Sequence, residues 1–439
     1  MSVSLVTNDY LKSASNNVRS KSVPWEGYQR ADLVTLEELA LIKKVDRQPK
    51  TKIESVLLSD GPTYALLYLH LLKKLTRVDT IQIILVLIAD SLADHEERVS
   101  LYTRTTETEP DLPHGPLLKA LSESEDEFTQ LKAAQIITVL LSGDKTSPLP
   151  THILHTYLTA ISNFIQHSSV NKRDLAVQCL ESLLTRQDCR QAVWEMQGIT
   201  NGFLEILRHN PSSQMSYQVA FCIWLLSFEQ NIAEQIDKKC NIVPLLIEVA
   251  KSAAKEKVIR IIVAAFRNLL VKAPETNIPA MLASQLLPFT KNLSGRKWSD
   301  EDIMDDIQYL KDELTVRFES LSTWDEYTSE LSSGHLSWTP VHESDEFWKE
   351  NALKLNENDC KLLKDLLKLL NDAQEPLVIA VAAQDVGQYV KHCDRGKKLV
   401  TDLGGKARVM ELMSHENADV RYRALMSVQQ IVSHPWVSV

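Results

Sequence analysis

Leu-Leu pairs recur at 140–141, 183–184, 225–226 and 269–270, spaced 43, 42 and 44 residues apart. Each closes an apolar run of helical period, such as Gln218-Val-Ala-Phe-Cys-Ile-Trp-Leu-Leu and Ala264-Ala-Phe-Arg-Asn-Leu-Leu. Turn-prone stretches separate the runs: Ser142-Gly-Asp, Arg208-His-Asn-Pro-Ser-Ser and Lys272-Ala-Pro. A helical period near 40–47 residues belongs to the armadillo/HEAT range, in which one unit cannot bury its own apolar face and must stack on its neighbours. The C-terminus repeats too: Val381–His392 aligns with Arg423–His434 at a constant offset of 42, matching Val386 to Val428 and Gln388 to Gln430. The expected fold is all-α, an armadillo/HEAT-like right-handed superhelical solenoid in two domains. Only 12 glycines in 439 residues, well under the usual share of about 7%, argue against an α/β enzyme with several glycine-rich loops.

Between the arrays, Ile303, Ile307, Leu310, Leu314, Phe318 and Leu321 share one helical face. Ser299 and Asp302 suggest a capping box at its start. The stretch Ser332-Ser-Gly-His-Leu-Ser-Trp-Thr-Pro breaks the helix, so domains are expected at 1–333 and 334–439 with a hinge over 332–344. Thr105–Pro116 reads as an exposed loop, and the Ser-, Asn- and Lys-rich first twenty residues as poorly ordered.

A net charge of −10 opposes broad nucleic-acid binding, which needs a basic face. Apolar runs such as the seven residues of Ile83–Ala89 are far short of the roughly 20 that span a bilayer, so no direct membrane insertion is expected. The N-terminal stretch has no basic leader before an apolar run. Six scattered cysteines make neither a disulfide framework nor a CxxC pair. The chain reads as cytosolic and reduced, with Cys179 and Cys222 as buried apolar thiols.

No catalytic constellation can be built, and no cofactor is implied. Leu403-Gly-Gly-Lys has Val400 and Ala407 where a phosphate loop needs Gly and Ser or Thr, and reads as a turn. His152 and His155 lack companions for a tetrahedral metal site. Asp300–Asp306 reads as a solvated helix start or a site for a basic element. Lys391, Arg395, Lys397, Lys398, Lys406 and Arg408 fall within eighteen residues. They are either a solvated repeat edge or a docking patch for an acidic partner.

Trp324-Asp-Glu-Tyr with Ser329-Glu-Leu, Leu336-Ser-Trp-Thr-Pro-Val-His and Phe347-Trp-Lys-Glu-Asn begin a longer ordered pattern. It continues through Val381-Ala-Ala-Gln-Asp-Val-Gly-Gln-Tyr-Val, Arg395-Gly-Lys-Lys, Leu403-Gly-Gly-Lys and Val420-Arg-Tyr-Arg-Ala-Leu, with Tyr28-Gln-Arg-Ala as a looser N-terminal match. This pattern resembles the H-subunit family of the V-type proton ATPases. The resemblance implies a non-catalytic regulatory subunit peripheral on the cytosolic face of vacuolar and other acidic endomembranes. Its N-terminal domain would meet the peripheral stalk of E and G subunits. Its C-terminal domain would lie near the cytosolic domain of the membrane-sector a-subunit in the assembled pump, whose activity it supports. In the released catalytic sector that domain would restrain the rotor and silence ATP hydrolysis. The loop Asn371-Asp372-Ala-Gln374-Glu375-Pro is where a loop-borne restraint would sit. The alternative is an armadillo cargo or adaptor protein that grips peptides with Trp-x-x-x-Asn ladders; here Phe228 stands four residues after Trp224.

Overall fold

The computed structural model describes residues 5–143, 149–334 and 336–433, and of 320–322 the backbone alone. Leu321 and His434 of the sequence patterns therefore lie outside the described side chains. Among the described residues the chain is all helix and turn, without strands. It divides into two compact units between Asp312 and Glu313.

In the first unit, the helices that carry the Leu-Leu pairs form one continuous row. Val78–Leu92 packs on Glu127–Gly143, then follow Val170–Leu183, Ser213–Leu226 and Glu256–Lys272. All eight leucines are buried, Leu226 at 2% exposure, at the ends of helices that pack on their neighbours in the row. Starts are set by side-chain oxygens: Asp126, Ser169 and Ser212, each 43 residues after the last, accept from the backbone N–H of Thr129, Lys172 and Met215. These bonds satisfy N–H groups that the first helical turn leaves free. Polar ties join neighbouring helices, four of the five at a spacing of 41–44 residues. Ser169 and Asn171 donate to Glu127, Gln218 to Glu181, Lys257 to Gln214 and Asn268 to Ser227.

Four local expectations are corrected in this unit. The first is at the N-terminus, where Asp9–Ser20 is a helix capped by Asn8, with Leu11, Ser15 and Val18 buried. Those positions, spaced i, i+4 and i+7, share one face, a periodicity that composition conceals. The helix lies against Val78–Leu92 and Glu127–Gly143. Asn8 donates to Gln178, and Gln135 to the Val6 carbonyl. The second is the segment 105–116, which is partly inside: Thr105, Leu112 and Pro116 are buried. The third concerns Ser299, which does not form the capping box. Its N–H and hydroxyl both donate to Glu256, while Asp300 accepts from the Asp302 N–H. The fourth is the acidic run, which is partly spent within the unit, Asp300 pairing with Arg260 and Asp306 with Arg267.

The unit division falls inside the helix Glu301–Ser333, about twenty residues before the expected boundary at Ser333. Ile303, Ile307, Leu310 and Leu314 are buried, whereas Phe318 is 53% exposed, so the apolar face does not continue as expected. Of the expected hinge, Leu336, Val341 and His342 are buried, His342 completely. Apolar side chains at 336 and 341 anchor the segment in the second unit's core.

The second unit is centred on Pro376–His392, which packs against Ala418–Val432, Glu357–Asp372 and Asp345–Asn351. The two sequence copies at offset 42 thus form one helix pair. They approach closely because a Cβ at Gly387 would stand 2.4 Å from the Ser427 Oγ and 3.1 Å from its Cα. The Ser427 hydroxyl donates to the Ala383 carbonyl. Gly404, at φ +82°, makes the left-handed turn between Gly396–Asp402 and Gly405–Leu412, the turn expected at Leu403-Gly-Gly-Lys.

Candidate functional site

The candidate partner-binding residues sit on four elements of the second unit. Lys391 ends Pro376–His392, and Arg395 caps Gly396–Asp402, which carries Lys397 and Lys398. Lys406 and Arg408 lie on Gly405–Leu412. Asn371 and Asp372 end Glu357–Asp372, and exposed Gln374 and Glu375 lead into Pro376–His392.

The structure does not bring all ten into one patch. Glu375 and Lys391 flank a helix of 17 residues, about 25 Å long at 1.5 Å per residue. At one end, the Arg408 Nε donates to the Leu370 carbonyl (3.4 Å), beside the 371–375 loop, and its guanidinium also holds Glu411 at 2.9 Å. At the other end, Lys391 pairs with Asp345, which His392 also contacts at 2.9 Å, and these partners hold the Asp345 carboxyl below its usual range. Lys397 donates to the Ser433 carbonyl. Arg395 and Lys398 are exposed and have no ion-pair partner among the described residues. Of the cluster, these two are the most available to a partner.

Sequence reasoning did not anticipate the buried polar centre of this unit. His342 Nδ1 faces the two Asp385 oxygens at 2.9 and 3.0 Å, and its Nε2 faces Glu330 at 3.0 Å. Around it stand Tyr327, Trp338, Phe347 and Trp348. Burial pushes Asp385 up to about 6, against the pull of the imidazole. Against the same burial, the two carboxylates lift His342 above its ordinary value. One signal was present: His342 and Asp385 are 43 residues apart, one repeat. The motifs around Trp324, Leu336, Phe347 and Val381 converge here, so the residues that carry the resemblance are largely packing residues.

In the first unit, an open groove of about 850 Å³ is lined by Ile165, Arg173, Asp174, Gly202, Ile206 and Met215. A second cavity of about 540 Å³ includes Arg104, Asp111, His114 and Arg186, and burial pushes His114 down to about 4. Among the described residues, neither places a nucleophile beside a base oriented for acyl or phosphoryl transfer. His152 and His155 are exposed, and Cys179 and Cys222 are fully buried. Burial lifts the Cys179 thiol to about 11, which leaves it unreactive. No helix among the described residues is long and apolar enough to cross a membrane.

Residues 9–314 match one family model and residues 320–436 a second, both described as the V-ATPase H subunit. The V-type proton ATPase H subunit of Drosophila melanogaster is 31% identical, covering 98% of this chain and 92% of its own length. A probable V-type proton ATPase H subunit from Oryza sativa subsp. japonica is 29% identical over 96% of this chain and 97% of its own. A third, from Dictyostelium discoideum, is 25% identical over 98% of each.

Proposed function

The chain belongs to the V-ATPase H-subunit family, and we propose that it is a non-catalytic regulatory subunit of a proton-pumping V-type ATPase. In the assembled pump it supports coupled activity; in the released catalytic sector it silences ATP hydrolysis. The first unit serves as the stator module against the E–G peripheral stalk. The second serves as the regulatory module, engaging catalytic-sector and rotor subunits in the released sector and the cytosolic domain of the membrane-sector a-subunit in the assembled pump. Its place is peripheral, on the cytosolic face of acidic endomembranes.

One observation carries this reading: the two family matches cover residues 9–314 and 320–436 and part within a few residues of the division between the compact units at Asp312 and Glu313. The exposed cations Arg395 and Lys398, on a chain of net charge −10, support a docking role for that edge. The cargo-receptor alternative gains nothing from the structure, since Phe228 packs edge-on against Trp224 at 4.9 Å where the ladder needs an asparagine.

The test is ATP hydrolysis by a released catalytic sector that lacks this subunit, with the full chain added back. Wild-type protein should silence it. A variant with Lys391, Arg395, Lys397 and Lys398 all reversed in charge should need on the order of thirtyfold more protein, as expected for about four exposed charge contacts. The deficit should widen as salt is lowered. Unabated hydrolysis with wild-type protein bound would overturn the regulatory reading. Equal silencing by wild type and variant would remove the cationic edge from it.

A further inference from the structure

His342 is fully buried, in the short helix Pro340–Glu343, and both of its ring nitrogens point at carboxylate oxygens. Asp385 is equally buried, midway along Pro376–His392, and Glu330, in the last turn of Glu301–Ser333, is 17% exposed at its side chain. A neutral imidazole has one N–H and one lone pair. In this site the lone pair would have to face an anionic oxygen without water between them. The imidazolium donates from both nitrogens and joins three segments that are otherwise separate in the chain. We propose that His342 is a proton-dependent latch: as imidazolium it pins residues 336–344 and the last turn of Glu301–Ser333 to Pro376–His392, and on losing its proton it lets that segment open.

The surrounding groups leave the proton to these three side chains. From Ala418–Val432, Arg423 lies 4.3 Å over the Trp338 ring and pairs with Glu343 at 3.5 Å and Asp419 at 3.6 Å, so its charge is engaged by the indole and two carboxylates. Lys354 covers Trp324 at 5.0 Å. On Asp345–Asn351, Asp345 is taken by Lys391 and His392. Burial holds the Tyr327 phenol protonated.

The pH dependence has one sign. His342 is raised above 6.5 in the folded unit, so its contribution is complete below that value and is lost as pH rises through the folded value. Asp385 is raised to about 6 from 3.8. Above about 6 it is therefore the anion that the imidazolium pairs with, and the latch works between that value and the folded value of His342. Within this interval acidification tightens the latch and alkalinisation loosens it. The segment that would open has few anchors besides the latch, Leu331, Leu336 and Val341 being its buried apolar side chains, which is the usual condition for local opening.

The test uses the full chain. Imidazole NMR of wild-type protein should show His342 titrating above pH 6.5. Hydrogen exchange of residues 327–344, corrected for intrinsic rates, should lose at least fivefold in protection between pH 6.5 and 9 relative to Pro376–His392. His342→Gln, which keeps one donor and cannot be charged, should show low and pH-independent protection there. Glu330→Gln, at a less buried position, gives the same readout if His342→Gln does not fold, and should halve the pH slope or more. A His342 that titrates at or below pH 6.5, or protection that is flat with pH in wild type, overturns the latch; so does a wild-type slope retained in either variant.

Discussion

The two units share a repeat period and differ in how they hold successive repeats together. In the first unit, the ion pairs between repeats, such as Arg267 with Asp306, lie at the surface or half-buried, the buried ties run to backbone carbonyls (Arg186 to Leu141, Asn277 to Ala233), and the load falls on buried Leu-Leu pairs. In the second unit, an ion pair spaced by 43 residues, His342 with Asp385, has no solvent exposure on either side. A row of nearly identical helices gains from each added apolar interface. A short stack has fewer interfaces, and here it relies on small-residue contact at Gly387–Ser427 and on buried charge. Buried charge is costly to form and more costly to break, so it specifies one arrangement more sharply than it stabilises it.

The largest effect should come from Leu226→Asp. It puts a carboxylate between Val170–Leu183 and Glu256–Lys272 and should cost about 5 kcal/mol. Chemical denaturation should show the loss spread through neighbouring repeats, with the second unit's transition unmoved. A loss confined to the Ser213–Leu226 helix would break the row description. Next, His342→Ala leaves Asp385 and Glu330 without their cation and should cost about 3–5 kcal/mol, seen as an early transition of the second unit alone. Gly387→Ala should cost about 1–3 kcal/mol by forcing Pro376–His392 away from Ala418–Val432. An unchanged melting temperature would mean that this helix pair has slack. Ser212→Ala removes a cap in the first unit and should cost about 1 kcal/mol. The smallest effect belongs to Arg267→Ala, about 0.2–1 kcal/mol and fading with added salt. A larger, salt-insensitive loss would show that the first unit also relies on charge.

Much of this was legible from one dimension. The Leu-Leu pairs predict the row, and all eight leucines are in the core. The offset of 42 predicts the relation between Pro376–His392 and Ala418–Val432, though not that they touch. The N-terminal helix was missed because polar composition masked the spacing of Leu11, Ser15 and Val18, and because the groups that order it, on helices around residues 85, 135 and 178, are far away in sequence. The basic cluster looked continuous because its members fall within eighteen residues. In space the turn at Gly404 and the length of Pro376–His392 put Arg408 beside the 371–375 loop and Lys391 beside Asp345.

The sequence by itself determined the helical class, the repeat period, the apolar positions of the row and the family. Each of these is a property of spacing along one chain, and burial of a periodic apolar face follows from spacing alone. Tertiary structure alone decided that His342 meets Asp385 and Glu330, that Asp300 and Asp306 are spent on arginines of Glu256–Lys272, and that Asp9–Ser20 lies on two later helices. Directional polar contacts need two groups at about 3 Å with the right alignment. That condition is set by how helices tens of residues apart pack, and no local pattern encodes it.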